Sequence, residues 1–249
     1  MDNTVKEPLI HLSKREDMSF GKKWLVRIIA ILLSLIVCAG FIFIIIKMNP
    51  VEVYEGIVEG AVGTGRRFWV TARDALTLLC VAVAVTPAFK MKFWNIGAEG
   101  QVLVGCVASA AMMIYAGNAL PTGLLLVLMF VCSFIAGGIW GIIPAFFKAR
   151  WNTNETLFTL MLNYVAMQVV TFCIVYWENP AGSNSVGIIN APTRAGWLPQ
   201  LFGLDYGWNL AIVLLLTVLM FIYMKRTKHG YEIAVVGESE NTARYAGLN

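Results

Sequence analysis

Charge is scarce in this chain. Asp, Glu, Lys and Arg make up 14% of its 249 residues, against about 25% in a soluble domain. That deficit excludes an ordinary water-soluble fold. Histidine is scarcer still: His11 and His229 are the only two, and both lie in charged flanks, so metal catalysis is not expected. The five cysteines, Cys38, Cys80, Cys106, Cys132 and Cys173, each sit inside an apolar run and form no CxxC pair. They read as small buried hydrophobes, which leaves neither a disulfide framework nor a metal site. No nucleophile–base pair stands out, so an enzyme is not expected. The net charge of +4 is too small to signal nucleic acid.

Apolar sequence is what the chain has in excess: 58% of its residues are hydrophobic and the mean hydropathy is +0.70. Crossing the hydrocarbon core as a helix takes about 20 apolar residues. On that measure the chain reads as an all-α polytopic membrane protein with about six transmembrane helices, near 24–46, 72–89, 95–116, 120–147, 156–177 and 207–224. Residues 1–23 form a polar tail and 225–249 a polar C-terminal segment around the transmembrane domain 24–224. The first apolar run ends at Lys47, Asn49 and Pro50, with no small-residue cleavage site, so it reads as a retained helix. Residues 48–68 read as a flexible interfacial connection, with a short amphipathic helix at 53–62. The uncharged cores at 75–89 and 102–116 are short for a straight crossing. Either the helices there are short or broken, or they take in their polar flanks. In 120–147 the small residues Gly137, Gly138 and Gly141 form a face suited to close helix packing.

The positive-inside rule sets the orientation. Lys and Arg gather in the N-terminal tail, at Lys90 and Lys92, at Lys148 and Arg150, and at Lys225, Arg226 and Lys228. Those segments are expected in the cytoplasm, with both termini inside. The first loop, carrying Arg66 and Arg67, fits this least well. Residues 178–206 then face outside. Pro180, Pro192 and Pro199 and scattered aromatics there suit either a folded platform or an ordinary exposed loop.

Between the two short cores lies the most unusual stretch: Phe93, Trp94, Asn95, Ile96, Gly97, Ala98, Glu99, Gly100, Gln101. Polar groups at the mouth of an apolar segment are costly unless they pair inside protein or line a cavity. Asn95, Glu99 and Gln101 are therefore candidate wall residues of a solute pathway. Glu99 reads equally as a structural carboxylate paired with Lys92 or a helix N-terminus. Helical spacing puts Asn95 and Glu99 on one face and Gln101 off it. Asn163 and Tyr164, in the middle of 156–177, read either as interhelical hydrogen-bonding groups or as substrate contacts. Glu155 reads as an interfacial cap. After the last span, 239–245 reads as a short helix with Ser239 as N-cap and Arg244 near its end, stopped by Gly247.

These residues resemble the permease subunit of bacterial ABC importers, in the branch serving branched-chain amino acids, simple sugars and nucleosides. The resemblance is nearest to guanosine and purine-nucleoside permeases that work with a basic-membrane-protein type binding lipoprotein. Four pieces carry it in order: residues 93–101; Lys148 to Glu155; Thr159 to Tyr164; and Gly230 to Leu248 with its Ala243, Arg244, Tyr245, Ala246, Gly247 run. The resemblance implies that 225–249 is a coupling loop. Gly230, Tyr231, Gly237, Glu238, Ala243, Arg244 and Gly247 would dock an ATP-hydrolysing partner. It implies that ATP and Mg are bound on that partner and that no cofactor is bound directly. It also implies a second permease subunit, an extracellular substrate-binding lipoprotein, membrane lipid around the chain, and residence in a bacterial plasma membrane. Relatives of this kind continue for on the order of a hundred residues past the coupling loop, so a longer chain is expected. The implied function is import of a nucleoside or simple sugar by ATP-driven alternating access, without bond chemistry in the permease. The competing readings are a secondary carrier, which usually needs a second inverted half and a mid-membrane cation site, and a non-transporting membrane scaffold.

Overall fold

The computed structural model describes residues 19–201, 203–204, 206–245 and 247, without the side chains of Glu240 and Thr242. Most of the expected N-terminal tail, and Ala246, Leu248 and Asn249 of the expected coupling loop, lie outside the described residues. The regular structure among the described residues is helical. Among the described residues six helices are long and apolar enough to cross a membrane: Phe20–Ile46, Gly65–Lys90, Ala98–Ala116, Thr122–Trp151, Glu155–Tyr176 and Gly207–Arg226. The chain is all-α and multi-pass, as its composition requires. Lipid offers no partner for a free backbone amide, and a helix satisfies its own.

The chain divides into two compact units, Met1–Phe68 and Trp69–Asn249. In the first, helix α1 (Phe20–Phe41) runs on into a π-helical turn, Ile42–Ile46. Lys47 then turns left-handed, with φ 59°. Helix α2 (Pro50–Val62) starts immediately after. Asn49 caps it by accepting from Val51 N at 3.1 Å, and Pro50 at N1 loses no needed donor. Tyr54 on α2 donates its hydroxyl hydrogen to Leu35 O at 2.6 Å. Residues 50–62 are thus helical over a slightly longer range than the expected 53–62.

The second unit holds the remaining helices: the body of α3 (Gly65–Lys90), α4 (Ala98–Ala116), α5 (Thr122–Trp151), α6 (Glu155–Tyr176), α7 (Gly207–Arg226), α8 (Lys228–Glu238) and α9 (Glu240–Tyr245). The uncharged core at 75–89 proved shorter than its helix. α3 continues back through Arg73 and Asp74 to Gly65, 26 residues in all, while α4 has 19. Helices α4, α5 and α6 form the tightly packed part. With lipid as solvent, helices associate through close van der Waals contact rather than hydrophobic expulsion, and small residues permit it. A Cβ on Gly105 would lie 2.9 Å from Ser133 Oγ, and one on Gly137 3.2 Å from the Gln101 carbonyl oxygen. The buried residues follow this seam: Leu125, Thr159, Asn163 and Ala166 are at most 4% exposed. Large apolar side chains elsewhere, such as Phe130 and Phe172, are exposed, as a lipid-facing surface requires.

Connections are fixed by specific terminators. α3 ends in a Schellman arrangement: Phe93 N donates to Ala88 O at 2.9 Å and Lys92 N to Phe89 O at 3.0 Å. Lys92 takes the left-handed position, with φ 59°. At the other corner Asn152 is left-handed, with φ 50°, and Asn154 caps α6 by accepting from Leu157 N at 3.1 Å. The cap is therefore Asn154. Glu155 is the first helical residue and pairs instead with Lys148 at 3.0 Å.

Candidate functional site

The polar cluster at 93–101 is only half helical. Residues 91–97 form a non-helical link between α3 and α4, and α4 starts at Ala98. Asn95 stands in that link, where its Oδ1 accepts from Gly97 N at 3.1 Å. This corrects the helical-face expectation: Asn95 and Glu99 do not share a helix face, because the helix begins between them. Gly97 is the N-cap and carries no side-chain oxygen, so the first amides of α4 lack a local acceptor.

Asn163 supplies one from across the interface. Its Oδ1 accepts from Gly100 N at 2.8 Å and its Nδ2 donates to Ile96 O at 3.0 Å. One side chain on α6 thereby caps α4 and holds the link. Glycines make the approach possible. A Cβ on Gly100 would stand 2.8 Å from Asn163 Oδ1, and one on Gly97 2.9 Å from Thr159 Cβ. Asn163 is 4% exposed, and it is an interhelical hydrogen-bonding group in this structure.

The other side of α4 is open. A cavity there has a volume of about 530 Å³, inside the roughly 300–1,000 Å³ range of small-molecule sites. It lies between α3, α4 and α5, with Asn95, Gln101 and Ser133 as its polar wall. The rest of its lining is apolar or glycine, with Cys80 and Cys106 contributing thiols, and it contains no charged residue. A Cβ on Gly141 would sit 3.1 Å from the Gln101 Nε2, so the small-residue face of α5 seats that amide. Of the five residues proposed from sequence, Asn95 and Gln101 border the cavity. Asn163 is committed to the α4–α6 joint. Glu99, in the first turn of α4, and Tyr164 are exposed and outside the cavity lining. Ser133 was missed; a hydroxyl in the middle of the uncharged run 120–147 was the available signal.

A second polar site lies at one end of the bundle. A cavity of about 350 Å³ is bordered by Lys92 and Phe93 of the link, by Lys148 and Glu155 at the α5–α6 corner, and by Gly237 and Glu238 at the end of α8. Lys92, the partner considered for Glu99, reaches the Glu238 carbonyl oxygen instead, at 3.5 Å. The residues with an expected docking role separate by burial. Gly230 and Gly237 are buried, and Ala243 is 3% exposed. A Cβ on Gly230 would run into the last carbonyls of α7, and one on Gly237 would overlap the Lys90 carbonyl oxygen. The two glycines hold the segment against the body. Tyr231, Glu238 and Arg244 face outward. The helix at 240–245 follows Ser239 directly, and Gly247 turns left-handed with φ 73°.

At the opposite end, residues 178–198 fold over α4 and α5. Asn190 Nδ2 donates to Met113 O at 2.8 Å and to Ala195 O at 3.1 Å. The Glu178 carboxylate gathers the amides of Gly182 and Asn184 at 2.6 and 3.1 Å. The segment is folded and held by its own hydrogen bonds. Among the described residues no cluster of His, Cys, Asp and Glu is arranged to hold a metal ion.

A bundle of membrane-length helices with an uncharged polar cavity and a short helix, α9, at one end has the form of a transport subunit. The chain belongs to the family of permease components of branched-chain amino acid transport systems, whose model matches residues 69–249. It is 29% identical over 238 residues to a nucleoside ABC transporter permease protein of Lactococcus lactis subsp. cremoris, covering 92% of this chain and 64% of that protein. It is 29% identical over 232 residues to a guanosine ABC transporter permease protein of Bacillus subtilis, covering 90% and 64%. A glucose ABC transporter permease protein of Haloferax volcanii is 28% identical over 233 residues, covering 87% and 59%. The chain thus spans about three-fifths of the length of these curated relatives. No solved structure matches it.

Proposed function

We propose that the chain is the membrane-spanning permease subunit of an ABC importer and that its solute is a neutral polar molecule, a nucleoside or a simple sugar. The single observation that carries this is the uncharged cavity of about 530 Å³ walled by Asn95, Gln101 and Ser133. Two amides and a hydroxyl can hydrogen-bond the edges of a base or a sugar ring. An amino acid would bring an ammonium and a carboxylate with no opposite charge to meet them, which is costly in a low-dielectric site. The names of the relatives, for nucleoside, guanosine and glucose, point the same way.

In this reading Asn95 and Gln101 touch the solute and Asn163 holds their support. Glu99 and Tyr164 lie on outer surfaces that a second permease subunit would meet; an exposed carboxylate at the end of a membrane helix needs such a partner or the helix N-terminus. Tyr231, Glu238 and Arg244 face a separate ATPase, which binds ATP and Mg. A substrate-binding lipoprotein delivers the solute to the folded 178–198 segment outside. Alternating access follows as the ATPase moves α9. The meeting of Lys90, Lys92, Lys148 and 236–239 at one end supports the cytoplasmic placement that the charge pattern suggests.

The test is uptake of radiolabelled guanosine, glucose and leucine in cells with and without the gene. Loss of nucleoside or sugar uptake with leucine unaffected is expected. Unchanged uptake of both neutral solutes would sink the reading. In the same cells Arg244→Glu is expected to cut uptake at least tenfold, and full stimulation of ATP hydrolysis by loaded binding protein would count against its docking role.

A further inference from the structure

We propose that Gly237 is a positioning residue that ties α9 to the solute cavity through the 91–97 link. The chain of contacts is continuous. At one end the bare backbone of Gly237 lies against the Lys90 carbonyl oxygen and within 3.4 Å, for a Cβ built there, of Met91 Cα. Lys90 is the last residue of α3, where carbonyls lack helical donors, so a close Cα–H contact suits it. Beside it Lys92 Nζ donates to the Glu238 carbonyl oxygen. At the other end of the link, Asn163 holds Ile96 O and Gly100 N, and Thr159 backs Gly97.

The link is stiff between these points. The Schellman bonds lock Phe93 and Lys92 onto α3, and Trp94 packs edge-on against Phe89 with ring centroids 5.5 Å apart. Asn95, in the middle of it, and Ala98, directly after it, both border the cavity. α9 follows α8 with only Ser239 between, and Ala243 N donates to Ser239 O at 3.0 Å. A force on α9 therefore reaches Lys90 through backbone contact, without passing along a flexible side chain, and moves the residues that carry the cavity amides. A glycine is required because any Cβ would occupy the place of the Lys90 oxygen.

The meaning of this relay for transport rests on the permease reading, but its geometry does not. The experiment uses the full-length native chain assembled with its partner subunits, in a background with the native cysteines replaced. Ala98→Cys reports on the cavity through its labelling rate with a water-soluble maleimide. Gly237→Ala is expected to change that rate at least threefold and to lower solute moved per ATP hydrolysed at least fivefold, with the assembled complex still eluting as one species. An unchanged labelling rate overturns the relay. If the unmodified complex moves no solute, the permease reading fails while the labelling measurement still decides the relay. Should Gly237→Ala not assemble, Met91→Cys with Val236→Cys is bridged by a short thiol-to-thiol reagent. Uptake by the bridged form within twofold of its own unbridged form supports a joint that moves as a unit, and abolition of uptake by the bridge overturns it.

Discussion

The two faces of α4 handle polar groups in opposite ways. Toward α6, Asn163 makes hydrogen bonds to Gly100 N and Ile96 O and is 4% exposed. Toward α3 and α5, Asn95, Gln101 and Ser133 border a cavity. The first face is a joint in which an amide replaces a missing helix cap. The second leaves amide capacity available to a solute. Polarity within a membrane helix is therefore not evidence of substrate contact until its hydrogen bonds are accounted for.

This contrast can be broken by measurement. Asn163→Ala strands a buried amide and a carbonyl together, and such loss costs about 2 kcal/mol. Thermal unfolding in detergent should show a clear fall in melting temperature. A stability equal to the native chain would mean that the joint is not structural. Gly100→Ala should follow at about 1–2 kcal/mol, because its Cβ must displace Asn163 Oδ1. A neutral effect would show that the clamp can shift without loss. Gln101→Ala should cost less than about 1 kcal/mol of stability yet raise the solute concentration for half-maximal uptake severalfold. Destabilisation as large as that of Asn163→Ala would erase the distinction between the two faces. Smallest of all should be Lys148→Met. Its ion pair with Glu155 is partly solvated, with side-chain exposures of 33% and 15%, and such pairs contribute about 0–1 kcal/mol.

Local pattern made much of this legible. Uncharged runs marked the helices, and the 93–101 string marked the polar link and the start of α4. What failed was local geometry at the polar cluster. Placing Asn95 and Glu99 on one face assumed a helix through Gly97, whereas α4 begins at Ala98 and its capping oxygen comes from Asn163 on another helix. Gln101, ranked below the other two by that argument, lines the cavity. Gly230 and Gly237 read as docking residues from their place in a motif. Their buried positions became visible only beside α7 and Lys90. No periodicity signals a glycine whose reason lies on a distant carbonyl.

By itself the amino-acid sequence determined that this is a multi-pass helical membrane protein, because long uncharged apolar runs have no stable alternative in or out of a bilayer. It also determined the family, through short strings that occur together and in order. Tertiary structure alone decided which polar groups are spent on holding the helices and which remain open. That division depends on pairing residues far apart in the chain, Asn163 with Ile96 and Gly100, Gly237 with Lys90, and hydrogen-bond capacity is settled only when both partners are in place.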